Sequence, residues 1–172
     1  MKAVILTGFM GAGKTTVGKS LGEEWKLPVI DTDDYIEKKM GKKISELFKE
    51  DGEDTFRQYE RELLPTLPTE NVVITTGGGI VIQEENRNWM NDNGFVIYLH
   101  CDLEQIISRL EGDSSRPLIK NNKKEQIEHI LTTRLPYYKE CSVTIDTTNK
   151  SIAQIVDEIN LEVKKSIGGD NK

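Results

Sequence analysis

Gly8-Phe9-Met10-Gly11-Ala12-Gly13-Lys14-Thr15 is the stretch whose reading decides the fold. It satisfies G-x-x-x-x-G-K-[ST] in full. It also stands where that pattern has to stand, after a short apolar strand (Ala3-Val4-Ile5-Leu6) and before a helix (Lys14 to Trp25). The helix has Val17, Leu21 and Trp25 at helical spacing. Glycines let the backbone wrap closely around a phosphate. The amide N–H groups of Gly11, Ala12, Gly13, Lys14, Thr15 and Thr16 can then converge on its oxygens, at the positive end of the helix dipole. Lys14 supplies a point charge to the outer phosphates, and Thr15 a hydroxyl ligand for Mg²⁺. A glycine-rich turn that binds nothing is the bland alternative, and four fixed residues in the right context weigh heavily against it.

Working outward, the chain alternates strands and helices. Pro28-Val29-Ile30 reads as a strand closed by Asp31, and Asp33 to Met40 and Ile44 to Glu50 as helices separated by Gly41. A longer helix starts at Gly52-Glu53-Asp54, buries Phe56, Tyr59 and Leu63, and stops at Pro65. Val72-Val73-Ile74 is a strand running into Gly77-Gly78-Gly79, and Ile80 to Asn93 is mainly helical. Gly94 to Leu99 is the clearest strand, and Asp102 N-caps a helix to Leu110. Gln126 to Glu140 is helical despite Pro136, Val143-Thr144-Ile145 is the last strand, and Ile152, Ile155, Val156, Ile159 and Val163 form the stripe of a final helix. Gly168 to Lys172 should fray. Five strands alternating with helices predict an α/β fold, a five-stranded parallel sheet with helices on both faces. Ligands on such sheets bind at the carboxyl ends of the strands.

Composition narrows the function classes. The 172 residues suit one domain, with 36% hydrophobic residues to build its core. The balance of 23 basic against 29 acidic residues gives a net charge of −6, which repels nucleic-acid backbones, so an anionic ligand needs local basic groups. No apolar run is long enough to span a membrane, and the N-terminus lacks a signal-peptide pattern. Cys101 and Cys141 lie outside any C-x-x-C pattern and are expected to be packed thiols in a reducing cytoplasm.

The strand ends carry the chemistry. Asp31-Thr32-Asp33-Asp34 closes the second strand. If extended, it puts Asp31 and Asp33 on one side of the chain, one for a metal and one for a substrate hydroxyl, with N-capping as the competing role. Arg57 has Glu60 and Arg61 three and four residues on, usually the mark of a solvated ion-pair face. Gly77-Gly78-Gly79 allows a ligand to touch backbone directly. Arg116 lies in a polar, basic stretch from Glu111 to Lys124, and Arg134 on the helix after it. The arginines together favour a small anionic substrate. Asn149-Lys150-Ser151-Ile152 lacks the aspartate of the guanine-reading N-K-x-D pattern, and the third strand has no aspartate at its end. A small-molecule kinase fits better than a molecular switch or motor.

In this order the motifs resemble the shikimate kinase family over nearly the whole chain. The family pattern of P-loop, D-x-D, F-R-x-x-E, G-G-G, R-P-L and R-x-x-x-Y falls on Gly8 to Thr15, Asp31 to Asp33, Phe56 to Glu60, Gly77 to Gly79, Arg116 to Leu118, and Arg134-Leu135-Pro136-Tyr137. The resemblance implies a P-loop, nucleoside monophosphate kinase-like fold: core about 1–110 and 125–167, lid about 111–124, substrate-binding helices about 32–64. It implies ATP and shikimate as the only partners, a monomer, and a place in aromatic amino-acid biosynthesis. Asp33, Arg57, Gly77, Gly78, Gly79 and Arg134 would hold shikimate, with Arg57 and Arg134 on its carboxylate and Asp33 on its hydroxyls. Lys14, Asp33 and Arg116 would be catalytic, Thr15 and Asp31 would hold Mg²⁺, Arg109 would lie against adenine, and Glu60 would brace the arginines. The sequence departs at Ile119, where the family continues R-P-L-L. It also has Thr148-Asn149-Lys150 where an adenine-side arginine is common. A gluconate kinase or a noncatalytic nucleotide-binding module are the rival readings.

Overall fold

The computed structural model describes residues 1–111 and 124–169. Its strands are β1 (Ala3–Thr7), β2 (Val29–Asp31), β3 (Val73–Thr75), β4 (Gly94–His100) and β5 (Val143–Asp146). They form one sheet in the order β2-β3-β1-β4-β5, and all four pairings are parallel. The helices are α1 (Lys14–Trp25), α2 (Thr32–Met40), α3 (Ile44–Asp51), α4 (Glu53–Leu63), α5 (Glu84–Asn93), α6 (Leu103–Leu110), α7 (Lys124–Tyr138) and α8 (Ile152–Gly169).

The strand order explains the layers. The crossover from β1 to β2 moves toward one edge of the sheet, and that from β3 to β4 moves toward the other. Right-handed crossovers travelling in opposite directions put their helices on opposite faces. Accordingly α1 packs on β3 and α8, whereas α5 packs on β4 with α4. β1 lies at the centre with every residue 1% exposed or less. Its two neighbours leave from it in opposite directions, so the crevice beyond its carboxyl end is the switch point where such sheets take ligands. Register makes this concrete: Leu6 pairs with Thr75, and Thr75 with Asp31. The loops after β1, β2 and β3 therefore start abreast.

Several boundaries differ from the pattern reading. The stretch expected to be one helix from Ile80 divides into a 3₁₀ turn (Ile80–Ile82) and α5, separated by Gln83 in extended conformation. Asp102 occupies the N-cap position of α6 without a side-chain cap bond, and its carboxylate instead faces His100 Nε2 at 3.6 Å. On α4 the buried face is Phe56, Arg57, Glu60 and Leu63. Tyr59 is only half-buried, because its hydroxyl reaches Asp51. α8 continues through Gly168 to Gly169 rather than fraying at Gly168.

α1 approaches β3 closely at Gly18. An ideal Cβ there would stand 2.2 Å from the Thr75 methyl group. Thr75 cannot turn that methyl away freely, since its hydroxyl donates to Asp31 Oδ2 at 2.7 Å. Helix propensity alone would make Gly18→Ala stabilising by about 1 kcal/mol, whereas overpacking costs about 1–3 kcal/mol. The clash is expected to win, and the melting temperature to fall by a few degrees. A higher melting temperature in a thermal denaturation would show that β3 yields to the added methyl.

Candidate active site

One cavity of about 510 Å³ opens at the carboxyl ends of β1, β2 and β3. Every sequence-predicted site residue among the described ones lines it: Gly11 to Thr16, Asp31, Asp33, Arg57, Gly77 to Gly79, Arg109 and Arg134. Arg116 lies outside the described residues, as does most of the basic stretch around it.

The phosphate end is the loop before α1. Gly13 caps that helix at φ 90°, a conformation that favours glycine, and offers no side-chain cap, so the first-turn amides are left for a ligand. Lys14 is buried, and its Nζ donates to the carbonyls of Gly8 at 2.7 Å and Phe9 at 2.9 Å. Arg109 on α6 ties down the loop from outside, donating to the Gly11 carbonyl at 2.7 Å and to Gln105 at 3.3 Å. Its anchoring role comes in addition to the expected place beside a base.

Asp31 combines the two roles that the sequence set against each other. Its Oδ1 accepts from the backbone amides of Asp33 and Asp34, capping α2. Its Oδ2 accepts from the hydroxyls of Thr75 at 2.7 Å and Thr15 at 3.2 Å. The extended D-x-D geometry does not form. Asp33 is already in the first turn of α2, and its carboxylate turns toward Gly77. Thr15 and Asp31 bring a hydroxyl and one carboxylate together, a donor set that fits Mg²⁺ at a phosphate site, where most ligands are waters and phosphate oxygens. Among the described residues no group of three or more His, Cys, Asp or Glu side chains could hold a metal without such help.

The far end of the cavity is cationic and buried. Arg57 and Arg134 are 6% and 4% exposed. Arg57 Nη1 donates to Glu60 at 2.7 Å and Nη2 to Glu53 at 3.2 Å, and its guanidinium lies over Phe48 and Phe56 at 5.8 and 5.5 Å. The Arg134 guanidinium lies 5.9 Å from the Phe9 ring. The solvated ion-pair face expected around Arg57 is thus an internal one. Two buried donors here, Arg57 Nε and Arg134 Nη1, and one buried acceptor, Glu60 Oε1, have no hydrogen-bond partner among the described residues. A buried donor left unmatched costs free energy, so an anion arriving here has two unused donors to meet.

Glu60 is fully enclosed, at 0% exposure. Burial pushes its carboxyl up, with Arg57 and Arg134 pulling the other way and Asp33 adding to the rise. On the partner side, burial pulls Arg57 down, and Glu60 and Glu53 more than offset it. Complete enclosure decides for Glu60, which moves from 4.5 to about 7. Glu60 and Glu53 thus both bear on Arg57 from its own helix.

The triple glycine is a matter of space. A Cβ on Gly77 would stand 2.5 Å from Asp33 Oδ1, and one on Gly79 2.2 Å from Arg57 Nη2. A Cβ on Gly78 would crowd the Met10 amide at 3.3 Å and approach Arg134 Nη1 at 3.7 Å. Each glycine thus backs one of the expected substrate residues. R-x-x-x-Y spans five positions, so its tyrosine is Tyr138, one helical turn after Arg134, and not Tyr137, which lies under Arg87 at 4.5 Å. The pattern reading also missed Phe48, Ile44, Met10 and Glu37 as cavity walls. The aromatic before Arg57 and the apolar residues of α3 were the available signal.

A phosphate-binding loop, an Asp–Thr pair beside it and a buried anion pocket within one cavity define a P-loop small-molecule phosphotransferase. The sequence model of the shikimate kinase family matches residues 10–164. Curated relatives named shikimate kinase include one from Bacillus cereus (strain AH187), 50% identical over 165 residues, which covers 96% of this chain and all of that protein. Another, from Persephonella marina, is 43% identical over 160 residues, or 92% of this chain and 97% of that one. The solved structure of shikimate kinase from Acinetobacter baumannii in complex with shikimate superposes with a TM-score of 0.88 at 32% identity, covering 99% of this chain and 95% of that one. A gluconokinase from Sinorhizobium meliloti shares the fold alone, with a TM-score of 0.65 at 15% identity. The chain belongs to the shikimate kinase family.

The raised Glu60 carboxyl makes a signed prediction. Between pH 4.5 and 7 the folded chain holds a proton at Glu60 that the unfolded chain releases. This contribution to stability is complete below pH 4.5 and is lost as pH rises through 7. Glu60→Gln cannot titrate. The stability of the wild type relative to this variant is therefore expected to drop by on the order of 3 kcal/mol across that window. Denaturant unfolding of both proteins at pH 4.5 to 8 checks this, and a constant difference would place Glu60 in the ionised state throughout.

Proposed function

We propose that the chain transfers the γ-phosphoryl group of ATP to the 3-hydroxyl of shikimate, giving shikimate 3-phosphate and ADP. The observation that carries this reading is the pair of buried arginines, each with an unmatched donor, in the same cavity as the phosphate loop. A carboxylate bearing ring hydroxyls matches arginines at one side and Asp33 at the other. A neutral acceptor without an anionic group would leave those two donors buried and unmatched. The family relationship, and the Acinetobacter baumannii structure with shikimate, support the same substrate.

Phosphoryl transfer passes through a loose transition state, so the protein contributes position and charge more than covalent chemistry. Lys14 and the amides of Gly11 to Thr16 would hold the ATP phosphates. Arg57 and Arg134 would take the shikimate carboxylate in a fork that lysine cannot reproduce. Asp33 would bind the ring hydroxyls, aim the 3-hydroxyl at the γ-phosphorus and accept its proton. Glu60 would brace the arginines. Mg²⁺, held by Thr15 and Asp31, would neutralise charge on the phosphate oxygens. Arg116 would add a further cation there, as the R-P-L pattern implies, and the stretch about 111–124 would act as the lid that excludes water. Arg109 would lie against adenine.

The described lining of the cavity comes from one chain, which suits a monomer acting on two small molecules. No helix among the described residues is long and apolar enough to cross a membrane. ATP as co-substrate and two free cysteines suit the cytoplasm, and the net charge of −6 suits neither nucleic acid nor anionic surfaces.

Coupled ADP release, measured with and without shikimate, tests the reaction directly. Turnover is expected only with shikimate, and equal rates with gluconate would overturn the substrate. Lys14→Ala is expected to lower kcat on the order of 10³-fold while the fold persists. Half-normal turnover in that variant would remove the loop from the chemistry. In calorimetric titrations Arg57→Lys and Arg134→Lys are expected to weaken shikimate by about 2–5 kcal/mol and leave ATP affinity unchanged. The reverse pattern would move both arginines to the nucleotide.

A further inference from the structure

We propose that Tyr138 is a positioning residue for the acceptor end of the site, its hydroxyl holding the Gly78 carbonyl against the turn of α7 that carries Arg134. The proposal rests on the reading of Arg134 and the glycine wall as the shikimate site. Tyr138 lies one turn after Arg134 on α7 and is 1% exposed. Its ring stacks on Tyr98 with centroids 5.0 Å apart and planes 7° apart. Its hydroxyl donates to the Gly78 carbonyl.

A carbonyl only accepts, so the single proton of the phenol goes to Gly78. Burial pushes the phenol up to about 12, with Arg134 pulling it down, so the proton stays in place at any working pH. The hydroxyl therefore holds the backbone segment that stands beside both Arg134 Nη1 and the Met10 amide of the phosphate loop.

The rest of the wall is held differently. Asn86 donates to the Ile80 carbonyl, and Arg87 to those of Val81 and Ile82, all from α5 behind the wall. Among these ties, that of Tyr138 comes from α7, the helix that carries Arg134. Stacking and burial need only a phenylalanine. Burying a hydroxyl as well costs free energy unless its proton is matched, and here the match is the backbone of the acceptor site at Gly78.

Tyr138→Phe removes one oxygen and keeps the stack. Steady-state kinetics at 10 °C, well below melting, are expected to show the KM for shikimate raised about 5- to 20-fold, with the KM for ATP within about twofold of wild type. Tyr98→Phe keeps the same stack and loses only the bond to His100 Nδ1, and it is expected to behave as wild type. A Tyr138→Phe enzyme with normal KM for shikimate, an equal rise in both KM values, or the same change in Tyr98→Phe would overturn the proposal. Arg134→Lys in the same assay separates the underlying reading. If it raises the KM for shikimate while Tyr138→Phe does not, Tyr138 alone is misassigned. If it raises only the KM for ATP, the acceptor site itself is wrong and the proposal falls with it.

Discussion

A methyl group added at Gly77, Gly78 or Gly79, ahead of the 3₁₀ turn, would crowd Asp33, the phosphate loop and Arg57 in turn. The chain order of the wall is the spatial order of the groups it supports. That close approach lets the Asp33 carboxylate, the backbone of the P-loop and the Arg57 guanidinium share one cavity of about 510 Å³. Side chains on the wall would fill part of that volume and push the functional groups apart. The parallel register that sets Leu6, Thr75 and Asp31 abreast delivers the wall to this place, and the absence of side chains makes the place usable.

Charge is concentrated here against the trend of the molecule. In a chain of net charge −6, two arginines, Arg57 and Arg134, are buried at one end of this cavity. Arg57 and Arg134 are kept out of water by aromatic rings on one side and by the cavity on the other. Burying two guanidinium groups without an anion would be prohibitive, and Glu60 supplies part of the compensation. Because enclosure disfavours its ionised form, it does not cancel the arginines fully. A fully solvated carboxylate in its place would hold its charge at neutral pH and compete with the substrate. The depth of Glu60 in the fold, set by its position three residues after Arg57 on α4, therefore tunes the pocket.

Local patterns carried most of this architecture. The phosphate loop was legible because its chemistry is confined to eight consecutive residues with a strand before and a helix after. The parallel sheet followed from alternation alone. What stayed hidden depends on contacts between distant segments. Arg57 and Glu60 at i and i+3 look the same on paper whether they face water or the core. Only the packing of α3 on α4, through Phe48 against Phe56 at 4.8 Å, turns them inward. The glycines read as a possible backbone contact, but their partners Asp33 and Arg57 are more than 20 residues away in sequence. Tyr138 is where R-x-x-x-Y counted from Arg134 ends, but its contact with the Gly78 carbonyl joins segments 60 residues apart. The break at Gln83 was invisible because Ile80-Val81-Ile82 has no breaker, and the turn is set by Arg87 drawing in two carbonyls.

Asp31 shows why such a site tolerates little rearrangement. One oxygen of its carboxylate starts α2, and thereby places Asp33 in the first turn of that helix. The other gathers Thr15 of the phosphate loop and Thr75 at the end of β3. A single side chain thus joins the carboxyl ends of β2 and β3 to the helix that follows β1. A residue that only capped α2 would leave the two hydroxyls unmatched, and one that only met the hydroxyls would release the α2 terminus. The competition between capping and chemistry that the sequence poses at Asp31 is resolved by geometry, because a carboxylate has two oxygens and the strand end directs one to each task.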